Sequence, residues 1–219
     1  MTTQSKGSAP GAAAWWPHEV RRCGRQALVL PLAAALLAYT AGTADSAAGP
    51  LLGRTVLSCA LPVAAALACA AVVAREHMRE LHLSLPTRYA RTVARRLSWP
   101  AAVTAVAAVV LVTALAATGP RAFDDPLVLL WELAGTTALL CGGAVLAAVR
   151  SGSAAPATGL VLALVLAKLL LFDRVVPATA QALPALVVGV LLTAGALRAL
   201  DSGRAAEPPR TPTTEGPQT

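Results

Sequence analysis

The sequence predicts an all-α, polytopic membrane protein with six transmembrane helices, and three observations lead to this prediction. First, 56% of the 219 residues are hydrophobic and only 13% are charged, whereas soluble domains carry about 25% charged residues. Second, the apolar residues fall in uninterrupted blocks close to the ~20 residues that a helix needs to cross a bilayer. Third, most arginines lie beside these blocks, where they can contact lipid headgroups.

The two ends of the chain differ from the apolar blocks in composition. Residues 1–14 and the cytoplasmic tail 201–219 are rich in small and polar residues and in proline, and we expect both to be disordered. Residues 15–25 hold two tryptophans, Pro17 and three arginines. Aromatic and basic side chains favour the membrane interface and proline suits a first helical turn, so an N-terminal amphipathic interfacial helix is predicted over 15–25.

Six apolar blocks form the predicted transmembrane domain, residues 26–200. Pro62 lies inside the second block, and Asp173, Arg174 and Pro177 are predicted to form the turn before the sixth. The predicted spans are 26–44, 55–74, 99–118, 127–149, 154–172 and 178–200.

The placement of charge predicts the orientation, because loops rich in Lys and Arg stay in the cytoplasm. Fourteen basic residues flank the spans on one side: Lys6, Arg21, Arg22, Arg25, Arg75, Arg79, Arg88, Arg91, Arg95, Arg96, Arg150, Arg198, Arg204 and Arg210. Only Arg54, Arg121 and Arg174 lie on the other side, and Lys168 lies within a span. We expect a multi-pass protein of the plasma membrane with both termini in the cytoplasm. Its outer loops are too short to form a receptor domain or a surface enzyme.

The net charge, the motifs and the spacing of metal-ligand residue types limit the functions that the sequence allows. The net charge of +7 indicates membrane lipid rather than nucleic acid as partner, since the arginines border apolar blocks. No catalytic or nucleotide-binding motif is present, so we expect no enzyme activity and no cofactor in this chain. Glu76, His77, Glu80 and His82 are close in sequence, but such groups are common in charged loops and no metal site is expected. The four cysteines lack zinc-type spacing.

Residues 75–98 form the most informative segment. Pro86 interrupts a continuous helix and Ser84 can cap a new one. Leu85, Tyr89 and Val93 recur every four residues, and arginines occupy another face, which predicts an amphipathic cytoplasmic segment between helices 2 and 3. The alternative is a solvated loop that binds headgroups and only enforces topology.

The segment resembles the inner loop of ATP-binding-cassette (ABC) type-2 permeases, the membrane subunits of bacterial exporters, here of actinomycete-like type. In that family the loop after the second span carries two glutamates, leucines, a Ser/Thr-Pro pair and a basic residue. Leu85, between Ser84 and Pro86, departs from this pattern. His18–Arg22 is similar to the amphipathic helix that precedes the first span of these permeases. The matching coupling segment here comprises Glu76, Glu80, Leu81, Leu83, Ser84, Pro86, Arg88 and Arg91.

The resemblance implies a permease subunit that forms a translocation path and couples to a separate ATPase subunit, which would hydrolyse the ATP. It also implies a homo- or heterodimer of permease subunits. Two alternatives stay open: a non-transporting accessory or regulatory membrane protein, and a small secondary transporter.

Two charged residues lie within the predicted spans. Glu132 and Lys168 are predicted at similar depth near the outer face, so they can form an intramembrane polar pair. The alternative is that Lys168 extends towards the interface on its own while Glu132 faces other polar groups. Gly135 and Gly142 are seven residues apart, which predicts a face of the fourth span that another helix can approach closely.

Overall fold

The computed structural model describes residues 25–43, 50–74, 89–118 and 125–205, all of them helical or in short turns between helices. No strand occurs within these ranges. The helix α5 contains the α-helical residues Ala154–Ala167, a π-helical turn at Lys168–Phe172 and a last turn at Asp173–Val175. The other helices are α1 (Arg25–Thr43), α2 (Pro50–Ala74), α3 (Tyr89–Thr118), α4 (Pro126–Ser151) and α6 (Ala178–Ala205).

The bounds of α4 follow from local chemistry. The side chain of Asp125 accepts a hydrogen bond from the backbone N–H of Leu127 at 2.8 Å, and Pro126 occupies the first helical position. Both features favour a helix start. Gly152 ends the helix in the left-handed conformation, with φ 69°, which glycine adopts without a steric penalty.

The six helices run alternately up and down. At one end the bundle packs Ala38 of α1, Leu57 of α2 and Leu115 of α3 together. At the other end it packs Val93 of α3 against Val149 of α4. We call the second the Arg-rich end, because Arg91, Arg95, Arg96, Arg150 and Arg198 lie there. The opposite end, called the Glu132 end, contains Arg54, Lys168, Arg174, Asp125, Glu132 and Asp173.

Helices α4 and α6 are parallel and meet backbone to backbone. A Cβ atom on Gly135 would lie 2.5 Å from the carbonyl oxygen of Ala182, and one on Gly142 would overlap the backbone of Gly189. Only glycine fits such a contact, which is the arrangement that small residues allow between membrane helices. The predicted close approach at Gly135 and Gly142 is confirmed.

Helix α3 differs from the prediction of a separate amphipathic segment before a span at Trp99. One continuous helix begins at Tyr89 and includes Pro100. The physical reason is that the buried face of residues 93–97 continues into the span with helical spacing. The buried positions are Val93, Leu97, Pro100, Thr104, Ala107, Ala108, Leu111, Val112 and Leu115.

Five helices in the described part of the chain are long and apolar enough to cross a membrane. They are Thr55–Ala74, Arg91–Thr118, Pro126–Ser151, Ala154–Val175 and Thr179–Leu200. The first predicted span corresponds to α1, whose apolar stretch Ala27–Thr43 is shorter. The fold is therefore all-helical in the described residues and compatible with a multi-pass membrane protein.

Candidate functional site: a charged cluster in an apolar cleft

A cleft lies between α5 and α6, which each pack against α4. Its volume is about 410 Å³. Helix α4 forms the floor with Glu132, Thr136, Leu139 and Leu140, and Ser58 and Cys59 of α2 border it. The remaining lining is mostly apolar and comes from the two walls and from Val176 in the turn between them. The wall residues are Leu164, Val165, Ala167, Lys168, Phe172, Ala180, Gln181, Ala182, Pro184, Ala185 and Val188.

Three charged side chains meet at the Glu132 end of this cleft. The Nζ atom of Lys168 lies 3.2 Å from Oε1 of Glu132 and 3.0 Å from Oδ1 of Asp173. The side chains of Lys168 and Glu132 are 12% and 14% exposed, and that of Asp173 is 32% exposed. The ammonium group therefore bridges a carboxylate of α4 and a carboxylate of α5, in surroundings where charge needs a partner.

The π-helical turn explains how Lys168 reaches Asp173. In a regular α-helix, residues five apart point about 140° away from each other at 3.6 residues per turn. Here the turn is wider, and the backbone N–H of Asp173 donates to the carbonyl oxygen of Lys168. The wider turn brings the two side chains to one face of α5, where Nζ also donates to Oδ2 of Asp173 at 3.2 Å. Such turns are frequent at functional sites.

Gln181 joins α6 to the end of α5. Its Nε2 atom donates to the carbonyl oxygens of Phe172, at 2.9 Å, and Val176, at 2.5 Å. The Phe172 carbonyl also accepts from the backbone N–H of Val176 at 3.0 Å, whereas the backbone N–H of Ala180, the usual partner of Val176, donates to Pro177 instead. Gln181 therefore satisfies the Val176 carbonyl, which lies where the helical pattern ends. The side chain thus ties the two walls together at the Glu132 end of the cleft.

The backbone around Glu132 is also satisfied. The hydroxyl of Thr136, four residues along α4, donates to the carbonyl oxygen of Glu132. The hydroxyl therefore leaves the Glu132 carboxylate to Lys168. The three charged groups together carry a net charge of −1, so the cleft has a negative end and an apolar body.

Part of this cluster is predictable from the sequence. Glu132 and Lys168 are predicted at similar depth, and in the structure these two side chains are in contact. Asp173 is predicted only as part of a turn after the fifth span. Lys168 and Asp173 are five residues apart, a spacing that a regular helix does not bring together, so only the proximity of two opposite charges could have indicated the contact.

Most of the coupling segment lies outside the described residues. This applies to Glu76, Glu80, Leu81, Leu83, Ser84, Pro86 and Arg88. Arg91 is described, lies on the first turns of α3 and is exposed. The predicted interfacial helix also lies outside, except for Arg25, which begins α1.

Comparison with protein families, with curated proteins and with solved structures finds no match to this chain.

Proposed function

We propose that this chain is a membrane-spanning permease subunit of an ATP-driven ABC exporter. In this proposal it crosses the plasma membrane six times, with both termini in the cytoplasm, and couples to a separate ATPase subunit. The chain binds no ATP itself and works as a dimer of permease subunits. The observation that carries the proposal is the joint location of the coupling-segment ends and the arginines at one end of the bundle.

The paths of α2 and α3 support the coupling role. Helix α2 ends at Ala74 and α3 begins at Tyr89, both at the Arg-rich end. The segment that resembles a coupling helix therefore connects the bundle at the end where arginines gather. Basic residues favour the cytoplasmic side, and an ATPase subunit needs its docking segment on that side.

The packing of α1 supports a sixth span. Ala27 packs with Val72 towards the Arg-rich end, and near the other end the hydroxyls of Tyr39 and Thr118 lie 3.1 Å apart. Helix α1 therefore runs along its neighbours for its whole length. Its 19 residues extend about 28 Å at the helical rise, close to the ~30 Å of a bilayer core.

The cleft between α5 and α6 supports a role in translocation. Its charged cluster lies within helices that have the length of membrane spans, and intramembrane ionisable groups usually serve a pathway or a binding site. A second candidate function is a non-transporting accessory protein. The Lys168 contacts to Glu132 and Asp173 favour it, because ion pairs of this kind can have a structural role in joining α4 to α5.

Recovery of the ATPase from detergent extract tests the proposal. The tagged protein is purified from its native host, and copurifying ATPase is identified by mass spectrometry. Charge reversal in E76K/E80K should lower the recovered ATPase several-fold, while the amount of permease in the membrane stays unchanged because insertion depends on the apolar spans. A second variant, R88Q/R91Q, tests the alternative of a headgroup anchor, because a segment that only binds headgroups would respond there through lipid affinity, at about 1 kcal/mol per charge.

Two outcomes contradict the proposal. Undiminished ATPase with E76K/E80K would exclude these glutamates from the coupling contact. No ATPase with the wild-type protein would favour the accessory function.

A further inference from the structure

The cleft offers one accessible carboxylate oxygen in an apolar interior. Oε1 of Glu132 accepts from Lys168. Among the residues that the structure describes, no donor bonds to Oε2 of Glu132, and this atom is not fully buried. Glu132 itself lines the cleft. A ligand in the cleft can therefore contact a carboxylate without first displacing Lys168.

Charge selects the sign of that ligand. Lys168 compensates one of the two carboxylates, so the cluster of Glu132, Lys168 and Asp173 keeps a net charge of −1. Arg174 follows Asp173 in the chain, but it is exposed and does not line the cleft. A cation would complete the neutralisation, whereas an anion would add a second uncompensated negative charge in a site of low dielectric.

The apolar walls of the cleft favour a ligand whose remaining part is apolar. Leu139, Leu140 and Val165 line the part of the cleft that continues away from Glu132. Large apolar side chains are also exposed on the outer surfaces of both walls, Leu162 on α5 and Leu191 on α6 among them. In a membrane these surfaces would face acyl chains, so both walls of the cleft would adjoin the lipid. The volume of about 410 Å³ lies in the ordinary range for small-molecule sites, about 300–1,000 Å³.

We infer that the cleft binds a lipophilic cation, with its positive charge at Glu132 and its apolar body between α5 and α6. The inference rests on the proposed function, for which it names the substrate class. A neutral apolar molecule would leave the free oxygen of Glu132 without a partner, and burial of an unpaired polar atom is unfavourable.

Equilibrium binding to the purified full-length protein tests the inference. The protein is placed in phosphatidylcholine nanodiscs, and empty nanodiscs give the background. The probe is radiolabelled tetraphenylphosphonium, and tetraphenylborate is the control of the same shape and opposite charge. We expect saturable binding of one cation per chain and no saturable binding of the anion.

Two pairs of variants locate the binding site. Glu132→Gln removes the anchoring charge and should weaken cation binding at least about tenfold. Its control, Asp125→Asn, removes a carboxylate outside the cleft and keeps a good helix cap, so it should bind the cation as the wild type does. Val188→Phe fills the cleft without changing charge and should also abolish saturable binding. Its neighbour Val187 is similarly exposed but does not line the cleft, so Val187→Phe should bind as the wild type does.

The outcomes separate this inference from the proposed function, because no ATPase is present in the binding assay. Loss of binding in E132Q and V188F, with binding kept in D125N and V187F, supports the cleft. The absence of saturable cation binding, equal binding of tetraphenylborate, or wild-type binding in V188F overturns it. If the cation binds but no ATPase is recovered with the wild-type protein, the cleft stands and the permease proposal fails.

Discussion

Helices α2 and α4 form the packed interior of the bundle, whereas α5 and α6 leave most of their surface uncovered. In the most apolar stretch of each helix, 61% of residues are buried in α2 and 56% in α4, against 11% in both α5 and α6. The four stretches have similar mean hydropathy, between 1.6 and 2.4. Hydropathy therefore identifies a helix suited to a membrane but not the neighbour, lipid or protein, that its side chains contact.

The size of the side chains differs between the packed helices α2 and α4 and the exposed helices α5 and α6. The buried face of α2 consists largely of alanines, including Ala65, Ala66 and Ala70. The exposed surface of α5 is rich in leucine, including Leu162 and Leu170. Without water there is little hydrophobic gain from joining two apolar helices, so close approach of backbones decides which faces meet.

Helix α6 shows the same effect within one element. It packs along α4 over much of its length, yet few of its residues are buried. The contact is a narrow stripe of Ala182, Gly189 and Ala196, seven residues apart. The other faces of α6 carry large side chains that remain exposed, such as Leu183 and Leu191.

The substitution with the largest expected effect disrupts this stripe. A Cβ atom on Gly189 would overlap the backbone of Ala138 and Leu139, whereas one on Gly195 meets nothing within 4 Å. Gly189→Ala should lower the free energy of unfolding by about 3 kcal/mol, as in overpacked cores. The matched change Gly195→Ala in the same helix should be neutral or stabilising by up to about 1 kcal/mol. Circular dichroism during an SDS titration of the purified protein measures both.

Equal effects of the two substitutions would contradict the close contact of α4 with α6.

The second prediction concerns the charged cluster that joins the packed helix α4 to the exposed helix α5. Glu132→Gln and Lys168→Met each leave one charge without its partner. The sum of their two losses of stability should therefore exceed the loss in the double variant. The coupling free energy should be about 1 kcal/mol, as for other polar contacts between membrane helices. The same SDS titration of wild type, both single variants and the double variant gives this value.

Additive effects would show that the two groups do not interact, and Lys168 would then extend to the interface alone. Asp173→Asn serves as the internal comparison. It removes the more exposed partner of Lys168, so its coupling to Lys168 should be the weaker of the two.

The sequence was sufficient for the elements with a strong local signal. Long apolar blocks predicted the positions of the helices, and the glycines at 135 and 142 predicted a close helix contact. The sequence was not sufficient for the partner of that contact, because the stripe on α6 contains alanine, which is common throughout the chain. Which small residues meet depends on the packing of all helices together.

The site was predictable only where depth in the membrane could be counted. Counting residues from the span ends placed Glu132 and Lys168 at one level. It could not reveal the π-helical turn, which brings Asp173 beside Lys168. The continuity of α3 from Tyr89 into the span was also missed, because the arginines up to residue 96 indicated an amphipathic segment separate from the apolar block that follows.

The smallest expected effect tests what covers the exposed wall of the cleft. Leu162 of α5 is 61% exposed and Leu61 of α2 is fully buried. Leu61→Ala should cost about 2 kcal/mol, since it leaves a cavity in a packed interior. Leu162→Ala should cost less than about 0.5 kcal/mol, because lipid chains fill the space that the side chain vacates. The SDS titration measures both in monomeric protein. In native membranes, a cost for Leu162→Ala comparable to that of Leu61→Ala would show that α5 packs against another protein chain. A second copy of this chain would then be the first partner to test, by cross-linking from α5.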